Sequence, residues 1–258
     1  MSFFAVEELS KSFGGLMAVS DLSFSMEEGS VTGLIGPNGA GKTTVFNLIT
    51  GNYRPDQGRI LFNGKNLAGL PMHAIVSLGI ARTFQSIRLF QKMSVLENVL
   101  AGTHCRTHSG IVAAMFRFAS QKREEQEAVQ NAMTELAFVG LENLADKRAG
   151  SLSYGQQRLL EIARALATRP RLLILDEPAG GMNDKETKDL IVLIERLQER
   201  GISILLIEHD MRLVMRVCAR LVVLEHGMLI ADGEPKEIRN LPRVIEAYLG
   251  PDEAGVCF

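Results

Sequence analysis

The sequence has no tryptophan, only three cysteines, and no run of apolar residues that approaches membrane-spanning length. Each absence excludes something. Cys105, Cys218 and Cys257 are odd in number and scattered, as reduced thiols are, so a disulfide framework is not indicated. The cluster His104-Cys105-x-x-His108 has no further ligand at recognisable spacing and reads as a solvated loop rather than a metal site. The longest aliphatic runs, Leu172–Leu175 and Ile202–Ile207, fall far short of the roughly 18–20 residues of a membrane helix and read as buried strands. The opening residues MSFFAVEELSKSF lack the basic and then apolar pattern of a secretory signal, so the chain is expected in the cytosol. A formal net charge of −2 leaves no electrostatic footprint for nucleic acid and no basic anchor for anionic lipid.

What is present is enough chain for a sizeable core. The 258 residues are 46% hydrophobic and 22% charged, the balance of a soluble globular protein. Short strand-like stretches come first, at Phe3–Leu9, Leu22–Met26 and Arg59–Phe62, the last followed by the tight-turn pair Asn63-Gly64. Val31–Ile35 reads as a buried strand, and a helix is expected from Thr43 to Thr50 with Gly51 as its stop. Between about 86 and 165 the strand signals disappear. Val129, Ala132, Met133 and Leu136 share a helical stripe there, and Lys122–Glu125 reads as a charged turn before it. Beyond, Leu172–Leu175, Ile202–Ile207 and Leu221–Leu224 are continuous aliphatic runs, as strands covered on both faces require. Helical patterns at Lys185–Glu199 and Met211–Cys218 separate them. The sum is an α/β core with a mostly parallel sheet, an antiparallel β element near the N-terminus and an inserted helical subdomain.

Residues Gly36-Pro37-Asn38-Gly39-Ala40-Gly41-Lys42-Thr43-Thr44 fit the phosphate-loop pattern G-x-x-x-x-G-K-[ST]. Gly36, Gly39 and Gly41 let the backbone turn successive N–H groups inward towards an anion. Lys42 supplies a cation for the β- and γ-phosphates, the Thr43 hydroxyl can ligate Mg²⁺, and the following helix points its positive end at the same place. A cation site and a general base belong on another strand. Leu172–Leu175 followed by Asp176-Glu177 offers both, Asp176 towards Mg²⁺ and Glu177 towards the attacking water.

A third element narrows this. Leu152-Ser153-Tyr154-Gly155-Gln156 resembles the signature of the ABC-transporter ATPase family, with Tyr154 where a glycine is usual. The resemblance covers essentially the whole chain and implies a P-loop NTPase (RecA-like) core at 4–249, the helical subdomain of about 86–165 inserted in it, and a short tail at 250–258. It implies that Gln85 touches Mg²⁺ and hinges the helical subdomain, and that His209 contacts the γ-phosphate. Phe13 would stack on adenine, with Val19 beside it. It further implies that Ser153, Gly155 and the helix starting near Gln156 reach the ATP of a second cassette, head to tail, so that two ATP molecules lie between two subunits. Pro178–Asp184 departs from the usual D-loop, with Asn183 in place of an aspartate; Asn183 or Asp184 suits an N-cap for the next helix.

That variant loop, Phe13–Val19, Thr43–Asn47, Arg82–Gln85 with Arg88-Leu89-Phe90, Ile207–Met211 and Val244–Gly250 all resemble the branched-chain amino acid uptake ATPases (LivG-type). Urea and short-amide uptake ATPases and the ATPase of lipopolysaccharide export share much of the pattern. The resemblance implies separate membrane permeases docked near residues 85–99, an indirect link to a solute-binding protein, and a peripheral place on the cytoplasmic face of the membrane. ATPases acting on DNA or the ribosome usually carry two cassettes or a long coiled coil, and this chain has neither. A cassette that binds without hydrolysing is disfavoured by the presence of Lys42, Asp176, Glu177 and His209.

Overall fold

The structure, a computed structural model, describes residues 2–103 and 119–249. The aliphatic runs form a parallel sheet: β3 (Val31–Ile35), β6 (Ile80–Arg82), β7 (Leu172–Asp176), β8 (Ser203–Ile207) and β9 (Arg220–Glu225), in the order β9-β3-β8-β7-β6. An antiparallel strand, β10 (Met228–Gly233), closes the β9 edge. Strand side chains alternate between faces, and both faces are covered here. Val31, Leu173, Leu175, Ile204, Leu206, Leu221 and Val223 enter one core, while Leu34, Leu172, Ile174, Leu205, Ile207, Val222 and Leu224 enter the other. That two-sided burial is why these strands read as unbroken aliphatic runs.

The second core is roofed by an antiparallel sheet of β1 (Phe4–Phe13), β2 (Leu16–Met26), β4 (Gln57–Phe62) and β5 (Lys65–Asn66), in the order β2-β1-β4-β5. Helix α1 (Lys42–Ile49) lies between the sheets and contributes Val45, Phe46, Leu48 and Ile49 to this core. It begins one residue before the expected Thr43, and Gly51 follows it in the left-handed region at φ 77°. A short helix α2 (Met72–Ser77) precedes β6.

The first core continues into the helical subdomain of α3 (Val95–Thr103), α4 (Ala119–Phe138) and α5 (Tyr154–Leu166), joined through Val95, Val99, Ala132, Leu136 and Leu160. Lys122–Glu125 does not form a turn before a helix; it lies inside α4. Arg123 reaches Glu127 one turn on at 3.0 Å, the spacing at which opposite charges support a helix rather than break it. The His104–His108 cluster, Cys257 and the tail at 250–258 lie outside the described residues. Helix α6 (Asp184–Glu199) follows β7, and Arg200 at its end pairs with Glu135 of α4 at 2.8 Å. Among the described residues the later α-helices are α7 (Met211–Val217), α8 (Pro235–Ile238) and α9 (Pro242–Leu249). Among the described residues no helix is long and apolar enough to cross a membrane.

Candidate functional site

The loop between β3 and α1 is held by close backbone packing. A Cβ on Gly36 would lie 2.1 Å from the Leu224 carbonyl oxygen, and one on Gly41 2.5 Å from that of Ala18. Both glycines also have φ in the range that side chains resist, 149° and 99°. The Lys42 ammonium lies across its own loop, donating to the carbonyls of Gly36 at 2.6 Å and Pro37 at 2.9 Å. Burial lowers its pKa, and the nearby carboxylates of Glu177 and Asp176 act in the opposite direction.

A cavity of about 560 Å³ opens over this loop. Asn38–Thr44, Gln85 and Glu177 line its polar end, while Phe13, Leu16, Met17 and Ala18 line an apolar end. Val19 is not there. It is fully buried in the core beneath the antiparallel sheet. The apolar wall belongs instead to Leu16 and Met17, both more than half exposed.

At the end of β7, Asp176 is buried, and its carboxyl is pushed up to about 6, first by burial and then by the charge of Glu177, against the pull of Arg82, Arg158 and Lys42. Glu177 sits in the left-handed region at φ 47°, a strained conformation for a side-chain-bearing residue. Its N–H is fixed to the Ile207 carbonyl at 2.8 Å, and its carboxylate accepts from the Gln85 amide at 2.9 Å. His209 is exposed beyond the end of β8 and does not line the cavity. Ser153, Gly155 and Gln156 are also absent from its lining. They form the start of α5, which begins at Tyr154, two residues before the expected Gln156. Ser153 is its N-cap and makes a reciprocal capping box with Gln156.

The residues that hold Gln85 are not among those singled out from the sequence. Arg158 and Glu161 of α5 are buried and paired at 3.2 Å. Arg158 donates to the carbonyls of Phe84, at 2.6 Å, and Gln85, while Glu161 accepts from the Phe84 N–H at 3.3 Å. Asn98, fully buried, likewise ties Phe90 to α3 through its amide. The i, i+3 spacing of Arg158 and Glu161, one turn after the signature, is the signal that was available.

The lining fits a nucleotide: apolar side chains for a base and the glycine loop with the Lys42 ammonium for phosphates, while the oxygens of Thr43 and Gln85 in the cavity, and of Asp176 buried next to Glu177, could hold a divalent ion. Comparison with known proteins agrees. A family model described as ABC transporter matches residues 19–180. The chain belongs to the ABC transporter ATP-binding family. A second model, for branched-chain amino acid ATP-binding cassette transporters, matches residues 228–253 of the cassette. The cassette is 49% identical to the high-affinity branched-chain amino acid transport ATP-binding protein BraF of Pseudomonas aeruginosa, over 95% of this chain and 96% of that one. It is 47% identical to the corresponding LivG protein of Escherichia coli, over 95% and 97%. Among solved structures it resembles an ATP-binding cassette of an ABC transporter in its ADP conformation, with a TM-score of 0.85, 37% identity, and 97% and 99% of the two chains covered.

Proposed function

We propose that this cassette is the ATP-hydrolysing subunit of a branched-chain amino acid importer, acting on separate membrane permeases from the cytoplasmic face. The observation that carries the reading is the Glu177 carboxylate, strained, held by Gln85, and lining the same cavity as the Lys42 loop. The amino acid class rests on the likeness to BraF and LivG over nearly the whole chain.

Lys42 exchanges its two carbonyl partners for the β- and γ-phosphates of ATP, a charge-assisted contact in a partly buried site. Turned N–H groups of the loop and the start of α1 take the remaining phosphate charge. Thr43, Gln85 and Asp176 would hold magnesium, which would neutralise part of the phosphate charge. Glu177 accepts a proton from water as the water oxygen bonds to the γ-phosphorus and the bond to the ADP oxygen breaks. Phe13 stacks on the base, and His209 swings from its exposed position to the γ-phosphate when the site closes. Ser153, Gly155 and Gln156 of a second cassette, identical or paralogous, complete the cavity head to tail. The permease sits in the groove of about 360 Å³ between α2, α3 and α5, lined by Met72, Ile75, Phe84, Phe90 and Arg164; a solute-binding protein acts through it.

Glu177→Gln is expected to bind ATP, trap an ATP-bound dimer and lose hydrolysis by at least about a hundredfold. Unchanged turnover removes Glu177 as the base. Leucine uptake by proteoliposomes containing the cassette and its permeases separates amino acid import from urea or amide import and from lipid export, since only the first gives ATP-dependent leucine accumulation.

A further inference from the structure

The residue that departs from the family signature, Tyr154, stands at a junction of three segments. It is the first residue of α5, is 46% exposed, and so is not simply core. Its hydroxyl accepts a hydrogen bond from Arg158 Nη2 at 3.1 Å, and the Arg158 guanidinium also lies over its ring at 5.5 Å. The same Nη2 donates to the Gln85 carbonyl, and the Gln85 amide holds Glu177 at 2.9 Å. On its other side the ring packs against Gly181, where a Cβ would lie 3.0 Å from Tyr154 Cε1. Gly181 sits at φ 78° in the loop that leads from Glu177 to α6.

We propose that Tyr154 is a positioning residue that makes the signature segment, the Gln85 segment and the loop after Glu177 move as one body. The inference rests on the reading of Glu177 and of the head-to-tail dimer given above. A glycine at this position lacks both contacts, so Arg158 alone would join α5 to Gln85. With tyrosine, closing Ser153 and Gly155 over the partner's nucleotide also sets Gln85 and Glu177 in the subunit's own site. The two ATP sites of a dimer are thereby linked through each subunit. Tyr154 itself does not line the nucleotide cavity.

Two variants separate the contacts. Tyr154→Phe removes only the hydroxyl bond to Arg158 and keeps the ring on Gly181; Tyr154→Gly removes both. Nucleotide affinity of the isolated cassette is expected to stay within about twofold in both, because the phosphate loop is untouched. In the full transporter, kcat is expected to fall about three- to tenfold in Tyr154→Phe, and further in Tyr154→Gly, with the Hill coefficient for ATP moving towards one. Gln85→Ala combined with Tyr154→Phe should cost little more than Gln85→Ala alone, since both act on one chain of contacts. Unchanged kcat and Hill coefficient in Tyr154→Phe, or effects that simply multiply in the double variant, overturn the inference. So does a fall in kcat that merely tracks the folded fraction measured by thermal melting. If Glu177→Gln still hydrolyses ATP, the underlying reading fails instead; if it is inactive and Tyr154→Phe is unaffected, only this inference fails.

Discussion

The phosphate loop and the signature segment are both short, glycine-bearing turns into a helix, yet they are held by opposite means. The loop is fixed by backbone against backbone: Gly36 under the Leu224 carbonyl, Gly41 under that of Ala18. The signature is held by side chains. Ser153 is occupied in the capping box of α5, Tyr154 leans on Arg158, and the space a Gly155 Cβ would need is taken by the Glu186 carboxylate at 2.4 Å. A backbone clasp presents one rigid surface, as an anion cradle requires. A side-chain clasp can be released and remade, as suits the surface proposed above to meet a second subunit.

The same substitution in the two places breaks the comparison open. Gly36→Ala forces a methyl into a carbonyl at a φ that side chains resist, and no rotamer relieves it. We expect no measurable ATP binding and a stability loss of at least about 3 kcal/mol, read by equilibrium dialysis and denaturant unfolding. Gly155→Ala meets the end of a flexible side chain instead. Glu186 swings aside and gives up its bond to the Asn183 N–H, now at 3.0 Å, for a cost of about 1 kcal/mol. ATP binding by the single cassette should survive, while hydrolysis in the dimer falls by about tenfold or more because the trans contact is reshaped. Equal loss of binding in both variants would show that the two turns are held alike.

This difference also decides what could be read from sequence. The loop and the strands were legible because backbone needs are written locally, as glycines at fixed spacing and aliphatic runs. Asn183 was legible for the same reason, as a cap that accepts from both Lys185 and Glu186 at 3.0 Å. Arg158 and Glu161 were not, since a charged pair on a helix reads as a solvated face until the fold closes Phe84 and Gln85 over it. Val19 was misplaced on similar grounds. Asp21, at φ 49°, interrupts β2, so that Val19 and Leu22 both turn inward although they lie three residues apart, a parity that simple alternation does not give. The charged stretch Lys122–Glu125 misled because charges are as much at home in an exposed helix as in a turn.

Glu208 backs the turn at Glu177, a part of the molecule that neither glycine variant reaches. It follows Ile207, whose carbonyl holds Glu177, and is 1% exposed, with no side-chain partner for either carboxylate oxygen. Burial, then the charges of Glu177 and Asp210, push its carboxyl up to about 7, against the N–H groups of Asp210 and His209. A carboxyl whose folded pKa lies above its unfolded value binds its proton more tightly when folded, so its ionisation opposes folding. The penalty is absent below pH 4.5, grows from there through about 7, and is complete above, at about 3 kcal/mol for a shift of this size. Asp176, raised to about 6, adds a smaller loss of the same sign over lower pH. Glu208→Gln keeps the shape of the neutral acid and cannot ionise. Its stability should therefore exceed wild type by less than about 1 kcal/mol near pH 5 and by about 3 kcal/mol at pH 8.5, measured by denaturant unfolding at both values. A wild-type curve that stays level between those values, or a gain in Glu208→Gln that is the same at both, would mean that Glu208 finds a partner in solution and is not an acid whose ionisation opposes folding.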